Sequence, residues 1–357
     1  MSGRVLVAMS GGVDSSVAAA LLKEAGCEVI GATMQVWPQG DEPAAGLRSC
    51  CSLEAVEDAR RVAARLGIRH YLLNFREEFR QRVITPFIHS YLSGQTPNPC
   101  ILCNKEIKFE ALLRKALALE CECVATGHYA RLKFEEGRWQ IYAARDLTKD
   151  QSYVLYSLSQ EQLAHALFPL GERTKSEIRS LAAALDLPVA DKPDSQQICF
   201  IPEGDTSAYL ARSVPESRRP GAILSLHGEK IGDHPGIAFY TVGQRRGLRL
   251  ACKEPQYVSS IDPAENTIVV ASEEGLYRRR VYVGKMNFVG LGGLQESKRL
   301  AGKLRYTMAP QPCLAEPFEE GVAATFEQPQ RAPAPGQAAV FYDGERIAFG
   351  GVIESAE

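Results

Sequence analysis

A run of glycines and hydroxyl-bearing residues near the start of the chain has the composition of an anion-binding loop. Residues 10–16 read Ser-Gly-Gly-Val-Asp-Ser-Ser and separate an apolar segment from a predicted helix. Glycines let backbone amides turn toward an anion, and the helix N-terminus adds the positive end of its dipole. Asp14 would repel bare phosphate, so it indicates either Mg²⁺ beside the phosphate or a helix cap. The pattern predicts a phosphate-binding loop.

Two common phosphate-binding motifs are excluded. The chain has no Gly-x-x-x-x-Gly-Lys-Ser/Thr sequence, so no loop lysine is available for the β and γ phosphates. The second predicted strand ends at Met34 and Gln35 rather than at an acidic residue that could hold a ribose, which excludes a dinucleotide fingerprint. A glycine-rich turn that merely opens a helix remains an alternative interpretation.

Two cysteines lie in segments suited to thiol chemistry. Cys103 falls at the predicted start of a helix, where the dipole lowers the pKa of a thiol, and Lys105 and Lys108 act in the same direction. Cys199 lies on a predicted irregular stretch. Either cysteine alone is also compatible with a small buried residue. A zinc site is a further alternative, with four candidate ligands: Cys100, Cys103, Cys121 and Cys123.

The elements that position these residues alternate between strands and helices in the first 200 residues. Strands are predicted at 4–9, 28–34, 69–74 and 124–128, and a hairpin at 131–143. Helices are predicted at 14–25, 52–66 with Ser52 as cap, 75–92 with a bend or break at Pro86, 104–120 and 174–186, and a loop at 93–102. This alternation predicts an α/β fold with a parallel sheet and crossover helices.

The character of the sequence changes after about residue 205, where helical periodicity fades and β-rich runs take over. Residues 337–353 predict a hairpin with a turn at Asp343 and Gly344. We therefore expect three domains: an N-terminal parallel-sheet domain (1–205), a small central connecting domain (206–275) and a C-terminal β-barrel-like domain (276–357).

Composition is that of a globular protein, with 45% hydrophobic residues and a formal net charge of −2. No apolar run approaches the roughly 18 residues of a membrane span, so we expect no membrane association and a cytoplasmic protein with reduced cysteines. Residues 278–305 carry eight basic residues and one acid, Glu296. That local excess favours a surface that follows RNA phosphates over a solvated charged face.

Residues 10–16 resemble the PP-loop of the ATP pyrophosphatase superfamily, whose members adenylate a substrate oxygen. Five further blocks, in family order, resemble the signature segments of the tRNA-specific 2-thiouridylase family. They are TPNPCILCNKEIKF (96–109), ATGHYA (125–130), KDQSYVLY (149–156), DSQQICFI (194–201) and TVGQRRGL (241–248). The blocks span most of the chain, and each is far more specific than the loop.

This resemblance implies a sulfurtransferase that uses ATP with Mg²⁺ to adenylate the 2-oxygen of the wobble uridine in tRNA. Cys199 matches the cysteine that carries a persulfide, and Cys103 matches its partner nucleophile. The residues matching the ATP site are Ala8, Met9, Ser10, Gly11, Gly12, Val13, Asp14, Ser15, Met34 and Gly127. Those matching target-base contacts are Asn98, Pro99 and Cys100, and those matching tRNA contacts are His128, Lys149, Asp150, Gln151, Arg305, Tyr306 and Gln337. The implied partners are the wobble-uridine tRNAs for Lys, Glu and Gln and a sulfur-relay donor protein.

The sequence departs from the family pattern at Cys100, where the family commonly has an aspartate. With Cys103 and Cys199 this residue offers three thiolates, and some sulfur-inserting relatives use such a trio to hold a 4Fe-4S cluster. A cluster-dependent thiolation is therefore an alternative to the persulfide route. A PP-loop ligase acting on a small metabolite and a non-catalytic RNA-binding or sulfur-carrier protein are the remaining alternatives.

Overall fold

A computed structural model describes residues 3–37, 53–194, 198–201 and 204–357 of the chain. The chain forms two compact units. The first unit comprises Met1–Ile84, Pro99–Gly204 and Glu345–Ile347, and the second comprises Thr85–Asn98, Asp205–Gly344 and Ala348–Glu357. The predicted cap Ser52 lies outside the described residues. Among the described residues, no helix has the length and apolar character needed to cross a membrane.

A five-stranded parallel sheet forms the centre of the first unit, as the alternating pattern predicted. Its order is β3-β2-β1-β4-β7, and every neighbouring pair is parallel. The strands are β1 (Arg4–Ala8), β2 (Glu28–Gln35), β3 (Arg69–Asn74), β4 (Cys123–Ala125) and β7 (Ala166–Leu167). Val5, Leu6 and Val7 are at most 3% exposed, because the central strand is covered on both faces.

Helices on this sheet begin and end close to the predicted positions. The predicted ones are α1 (Val13–Glu24), α2 (Leu53–Leu66) and α8 (Lys175–Ala184), and the sequence did not predict the short helix α7 (Gln160–Ala164). After α1 and α2 the chain turns through Gly26 and Gly67, whose φ angles of +85° and +61° suit glycine. Thr174 caps α8 in a reciprocal capping box with Glu177, which satisfies two backbone amides at the helix start.

The hairpin predicted at 131–143 is confirmed. It consists of β5 (Arg131–Glu135) and β6 (Arg138–Tyr142). Glu136 and Gly137 form its turn with φ angles of +53° and +74°. Positive φ at both central residues is the geometry that matches the twist of two paired strands.

Two helical stretches differ from the prediction in detail. Residues 76–92 form α3 (Arg76–Phe79), a π-helical turn (Arg80–Ile84) and α4 (Thr85–Leu92), so regular α geometry is lost just before Pro86. The predicted loop 93–102 is wrong at its end, because a helix already begins at Pro99. This helix runs through α5 (Pro99–Leu102), a π-helical segment (Cys103–Ala111) and α6 (Leu112–Ala118). Proline favours the first helical position, where its fixed φ fits and no amide is needed.

The second unit contains a small four-stranded sheet of order β10-β11-β8-β9. The strands are β8 (Gly221–Leu224), β9 (Lys230–His234), β10 (Tyr257–Asp262) and β11 (Thr267–Ala271), preceded by helix α9 (Thr206–Ser213). Ile223, Val258, Ile268 and Val270 are at most 1% exposed and form its core.

A closed six-stranded β-barrel, confirming the β-rich prediction, completes the second unit. Its order is β12-β15-β14-β13-β16-β17, and pairing of β12 with β17 closes it. The strands are β12 (Tyr277–Asn287), β13 (Lys298–Lys303), β14 (Gln311–Phe318), β15 (Gly321–Arg331), β16 (Ala338–Asp343) and β17 (Arg346–Ala356). Phe326, Phe341 and Phe349 are fully buried inside it. Closure leaves no sheet edge unpaired.

Candidate active site

The predicted phosphate loop joins the end of β1 to the start of α1. The Ser10 amide donates to Ser15 Oγ at 3.1 Å, and Ser16 Oγ donates to the Gly12 carbonyl at 2.8 Å. Gly11 has a φ of +67°, and a Cβ there would overlap the Ala55 carbonyl oxygen. The loop is therefore held by its own serines, and its sharpest turn requires glycine.

This loop lies at the carboxyl edge of the sheet, at the point where strand order reverses. β1 has β2 on one side and β4 on the other, and open parallel sheets bind ligands at such a switch point. Gly127 follows β4, and a Cβ at this residue would lie 2.7 Å from the Ser15 amide nitrogen. Met34 is half-buried near the end of β2. The residues expected to bind ATP are thus brought to one edge, although the Met9 and Val13 side chains are buried in the core.

Asp14 does not cap helix α1, so that alternative is wrong. The N-cap is Gly12, and no side chain caps it. The Asp14 carboxylate instead accepts hydrogen bonds from Lys175 Nζ at 2.7 and 2.9 Å and from the Tyr129 hydroxyl at 2.7 Å. Burial and the neighbouring Asp14 carboxylate raise the pKa of Tyr129, so this hydroxyl stays a donor.

Lys175 also contacts a second carboxylate, that of Asp194. Its Nζ lies 2.7 Å from Asp194 Oδ1, while Lys149 Nζ lies 2.9 Å from Oδ2 and Arg179 lies 3.2 Å from Oδ1. Burial opposes ionisation, but the hydrogen bonds from Lys175 and Lys149 overcome it and lower the pKa of Asp194. The sequence interpretation assigned no role to Lys175, Arg179 or Asp194. Of these three residues, only Asp194 lies in a segment that resembles a family signature, since it is the first residue of the block that contains Cys199.

The two proposed sulfur-handling cysteines both lie in the first unit and are half-buried. Because the helix begins at Pro99, Cys103 lies one turn inside it and not at its mouth, which corrects the predicted placement. The dipole effect is concentrated in the first turn, so it acts more strongly on the exposed Cys100. Cys199 is followed by Phe200, which is 2% exposed.

The thiols considered above as metal ligands do not form a ligand group among the described residues. Within the described ranges, no three His, Cys, Asp or Glu side chains are grouped so as to hold a metal ion. Cys100, Cys103 and Cys199 form no such group, and neither do Cys100, Cys103, Cys121 and Cys123, so the described residues show neither the cluster ligands nor the zinc ligands. Cys121 is 2% exposed, and burial raises the pKa of Cys121 and Cys123, as expected for residues packed in a core.

His128, Asp150 and Gln151 make hydrogen bonds within the first unit. His128 is 7% exposed, and its Nδ1 lies 2.7 Å from Thr126 Oγ1. Burial, and then the Lys108 ammonium, hold the pKa of His128 well below its usual range, so the ring is neutral at neutral pH. Asp150 accepts from the amides of Ala144 and Ser152, and Gln151 Oε1 accepts from the Tyr129 amide. Contact of these residues with tRNA stays a prediction.

The other expected tRNA contacts lie in the second unit. The Arg305 guanidinium donates to the Ala332 carbonyl, and Tyr306 is 39% exposed with Lys303 Nζ 5.5 Å from its ring centroid. The Gln337 carbonyl accepts from the Ile353 amide at 2.8 Å. An exposed aromatic ring beside a cation is suited to stacking on a base, but these contacts also stay predictions.

Five residues of the basic run 278–305 have hydrogen-bond or ion-pair partners within the second unit. Arg278 and Arg279 donate to backbone carbonyls within the second unit. The barrel topology also brings acidic partners to three others, in the pairs Arg280–Glu316, Lys298–Asp343 and Arg299–Glu327. The sequence count missed these acids because they lie outside the window.

Three family models match the chain. They are described as a tRNA methyl transferase HUP domain over residues 3–203, a tRNA methyl transferase PRC-barrel domain over residues 207–272 and an aminomethyltransferase beta-barrel domain over residues 278–353.

Curated relatives align along nearly the whole chain. The tRNA-specific 2-thiouridylase MnmA of Moorella thermoacetica is 51% identical over 353 residues, covering 98% of this chain and 99% of the relative. The protein of the same name from Heliobacterium modesticaldum is 49% identical, covering 99% of this chain and 93% of the relative. A solved 4-thiouridine synthetase–RNA complex with bound ATP aligns with a TM-score of 0.36 and 20% identity over 60% of this chain and 51% of that chain.

Proposed function

The chain belongs to the tRNA-specific 2-thiouridylase family, and we propose that it replaces the 2-oxygen of the wobble uridine with sulfur through an adenylated base and a persulfide on Cys199. As a family member it is a tRNA sulfurtransferase that uses ATP. Two features of the first unit support the finer mechanism. The phosphate loop is intact, and Asp14 in that loop is linked through Lys175 to Asp194, five residues before Cys199.

In the first step, ATP lies against the loop between β1 and α1. The uridine 2-oxygen attacks the α phosphorus and displaces pyrophosphate, which turns that oxygen into part of an AMP leaving group. The ATP contacts are assigned to residues 8–15, Met34 and Gly127. Mg²⁺ would accompany the ATP phosphates as part of the substrate and neutralise part of their charge. The Asp14 carboxylate, which is bonded to Lys175 and Tyr129, would lie beside it. The base is extruded from its stack toward Asn98, Pro99 and Cys100.

In the second step, the terminal sulfur of the Cys199 persulfide attacks carbon 2 and AMP leaves. The Cys103 thiolate then attacks Cys199 Sγ, which breaks the bond between the two persulfide sulfurs. The products are 2-thiouridine and a Cys103–Cys199 disulfide, which an external dithiol must reduce before the next turnover. If Cys103 attacks first, hydrosulfide is released and attacks carbon 2, and the same disulfide results. Thiolate and persulfide nucleophiles make both orders chemically reasonable.

We assign the remaining family roles to the matched residues. His128, Lys149, Asp150, Gln151, Arg305, Tyr306 and Gln337 contact tRNA or support the residues that do. The substrates are the wobble-uridine tRNAs for Lys, Glu and Gln, and a cytoplasmic sulfur-relay protein supplies the persulfide. We divide the chain into a catalytic domain (1–205), a connecting domain (206–275) and a tRNA-binding barrel (276–357), a division supported by the ranges of the three family models.

Incubation with unmodified tRNA, ATP, Mg²⁺, a dithiol and a low-molecular-weight persulfide donor tests this function. We expect 2-thiouridine at the wobble position, with one AMP and one pyrophosphate released per sulfur inserted. Nucleoside chromatography and nucleotide analysis on the same sample measure both quantities. AMP release that needs no RNA would favour a ligase acting on a small metabolite. Failure to bind ATP would favour a non-catalytic RNA-binding or sulfur-carrier protein.

A further inference from the structure

The ion pairs around Lys175 connect two parts of the site that the reaction uses at different steps. Lys175 Nζ contacts both carboxylate oxygens of Asp14 and Oδ1 of Asp194, and the lysine side chain is only 12% exposed. We propose that Lys175 is a positioning residue. It couples the binding of ATP at the phosphate loop to the placement of Cys199. The proposal rests on the proposed function, because it assigns ATP to that loop and sulfur to Cys199.

The hydrogen-bonding capacity of Lys175 is fully used in this arrangement. An ammonium group has three N–H donors, and here two contacts go to Asp14 and one to Asp194. The phosphates of ATP would attract Lys175 and repel Asp14, whereas the accompanying Mg²⁺ would attract Asp14. Either effect changes at least one of the three contacts. Nucleotide binding at the loop is therefore linked to the strength of the Lys175–Asp194 pair.

Asp194 can tolerate a change at Lys175 because it has other partners. Lys149 contacts its Oδ2 at 2.9 Å, and Arg179 contacts its Oδ1 at 3.2 Å. Loss or rotation of the Lys175 contact would leave the carboxylate paired but shifted toward Lys149 and Arg179. The Asp194 carboxylate, which we call the ionic anchor before Cys199, can therefore change its cationic partner and stay paired.

The chain after Cys199 is anchored in a different way. Phe200 packs edge-on against Phe79 with ring centroids 5.7 Å apart, and Phe200 and Ile201 are 2% and 1% exposed. Close-packed apolar contacts resist displacement. Cys199 therefore lies between a fixed apolar anchor and an ionic anchor that responds to the loop. Asp194 precedes Cys199 by five residues in the sequence.

Alkylation of Cys199 by iodoacetamide, measured by peptide mass spectrometry, tests the coupling without requiring turnover. Adding α,β-methylene-ATP with Mg²⁺ should change the Cys199 alkylation rate of the wild-type protein by about fivefold or more. In Asp194→Asn the analogue should still bind, but the Cys199 rate should no longer respond to it. Asp194→Glu keeps the negative charge, so its Cys199 alkylation rate should still change when the analogue is added. If Asp194 had only a structural role, this charge-conserving variant would not restore the response.

Asp58→Asn is the matched control, since Asp58 is a buried carboxylate in the same unit that pairs with Lys192 and Arg61. This variant should respond to the analogue as the wild-type protein does. If Asp194→Asn does not fold, Lys175→Gln tests the link from the other side, because Asp194 keeps Lys149 and Arg179. A wild-type response in a folded Asp194→Asn or Lys175→Gln variant would overturn the coupling, as would an unresponsive wild-type protein that still thiolates tRNA. Absence of ATP-dependent thiolation by the wild-type protein would instead count against the proposed function.

Discussion

Cys199→Ser should abolish 2-thiouridine formation, with a loss of about a thousandfold or more. A serine hydroxyl cannot accept a persulfide sulfur, so the variant has no sulfur to deliver to the adenylated base. Binding of ATP and tRNA should stay close to wild type, because the half-buried Cys199 is outside the phosphate loop. Chromatography of nucleosides from the treated tRNA measures the loss, and filter binding measures the two affinities.

Cys252→Ser provides the matched control, because Cys252 is exposed and lies in the second unit. It should thiolate tRNA at the wild-type rate. Thiolation by Cys199→Ser at a rate similar to that of this control would remove Cys199 from the mechanism and leave the sulfur carrier to be sought among the other thiols.

Gly127→Ala should lower ATP-dependent adenylation by about a hundredfold, since displacements of about 1 Å at a reacting centre have effects of that size. The added Cβ would lie 2.7 Å from the Ser15 amide nitrogen and 2.8 Å from the Asp14 carbonyl carbon. Both are backbone atoms at the start of α1, so relief of the overlap must move the loop itself. Isothermal titration with ATP and pyrophosphate release in the presence of tRNA measure the effect.

Gly292→Ala is the appropriate comparison, because a Cβ at Gly292 meets no atom within 4 Å and the residue has no positive φ. Adenylation by this variant should match the wild-type rate. Wild-type ATP affinity and adenylation in a folded Gly127→Ala variant would contradict the assignment of this edge of the sheet to ATP.

Much of the first unit follows from local sequence. The apolar run before Ser10, the helix-ending Gly67 and the capping signal at Thr174 predict strand and helix boundaries to within a few residues. The start of the cysteine-bearing helix differs from the predicted position, because the prolines of residues 97–99 are also typical of a loop. The same residues contained the correct signal, since proline suits the first helical position.

The charge pairing of the site could not be predicted in the same way. Lys175 lies 161 residues from Asp14 in the chain, and nothing in the local sequence indicates that the two meet. The barrel topology has a similar effect, since Glu316 and Glu327 partner Arg280 and Arg299 from strands two positions away in the sheet. Contacts of this kind depend on the topology of the fold, whereas caps, turns and strands depend on neighbouring residues.

Transfer of labelled sulfur in a single turnover tests the persulfide mechanism most directly. The protein is purified without oxygen, its iron content is measured, and Cys199 is loaded with a ³⁵S persulfide by treatment with labelled polysulfide. Excess unmodified tRNA is then added with or without ATP. The mechanism predicts that label moves from Cys199 to 2-thiouridine only with ATP, in protein that contains far less than one iron per chain. Retention of the label on iron-free protein, together with thiolation in proportion to iron content, would contradict it and establish the cluster-dependent route.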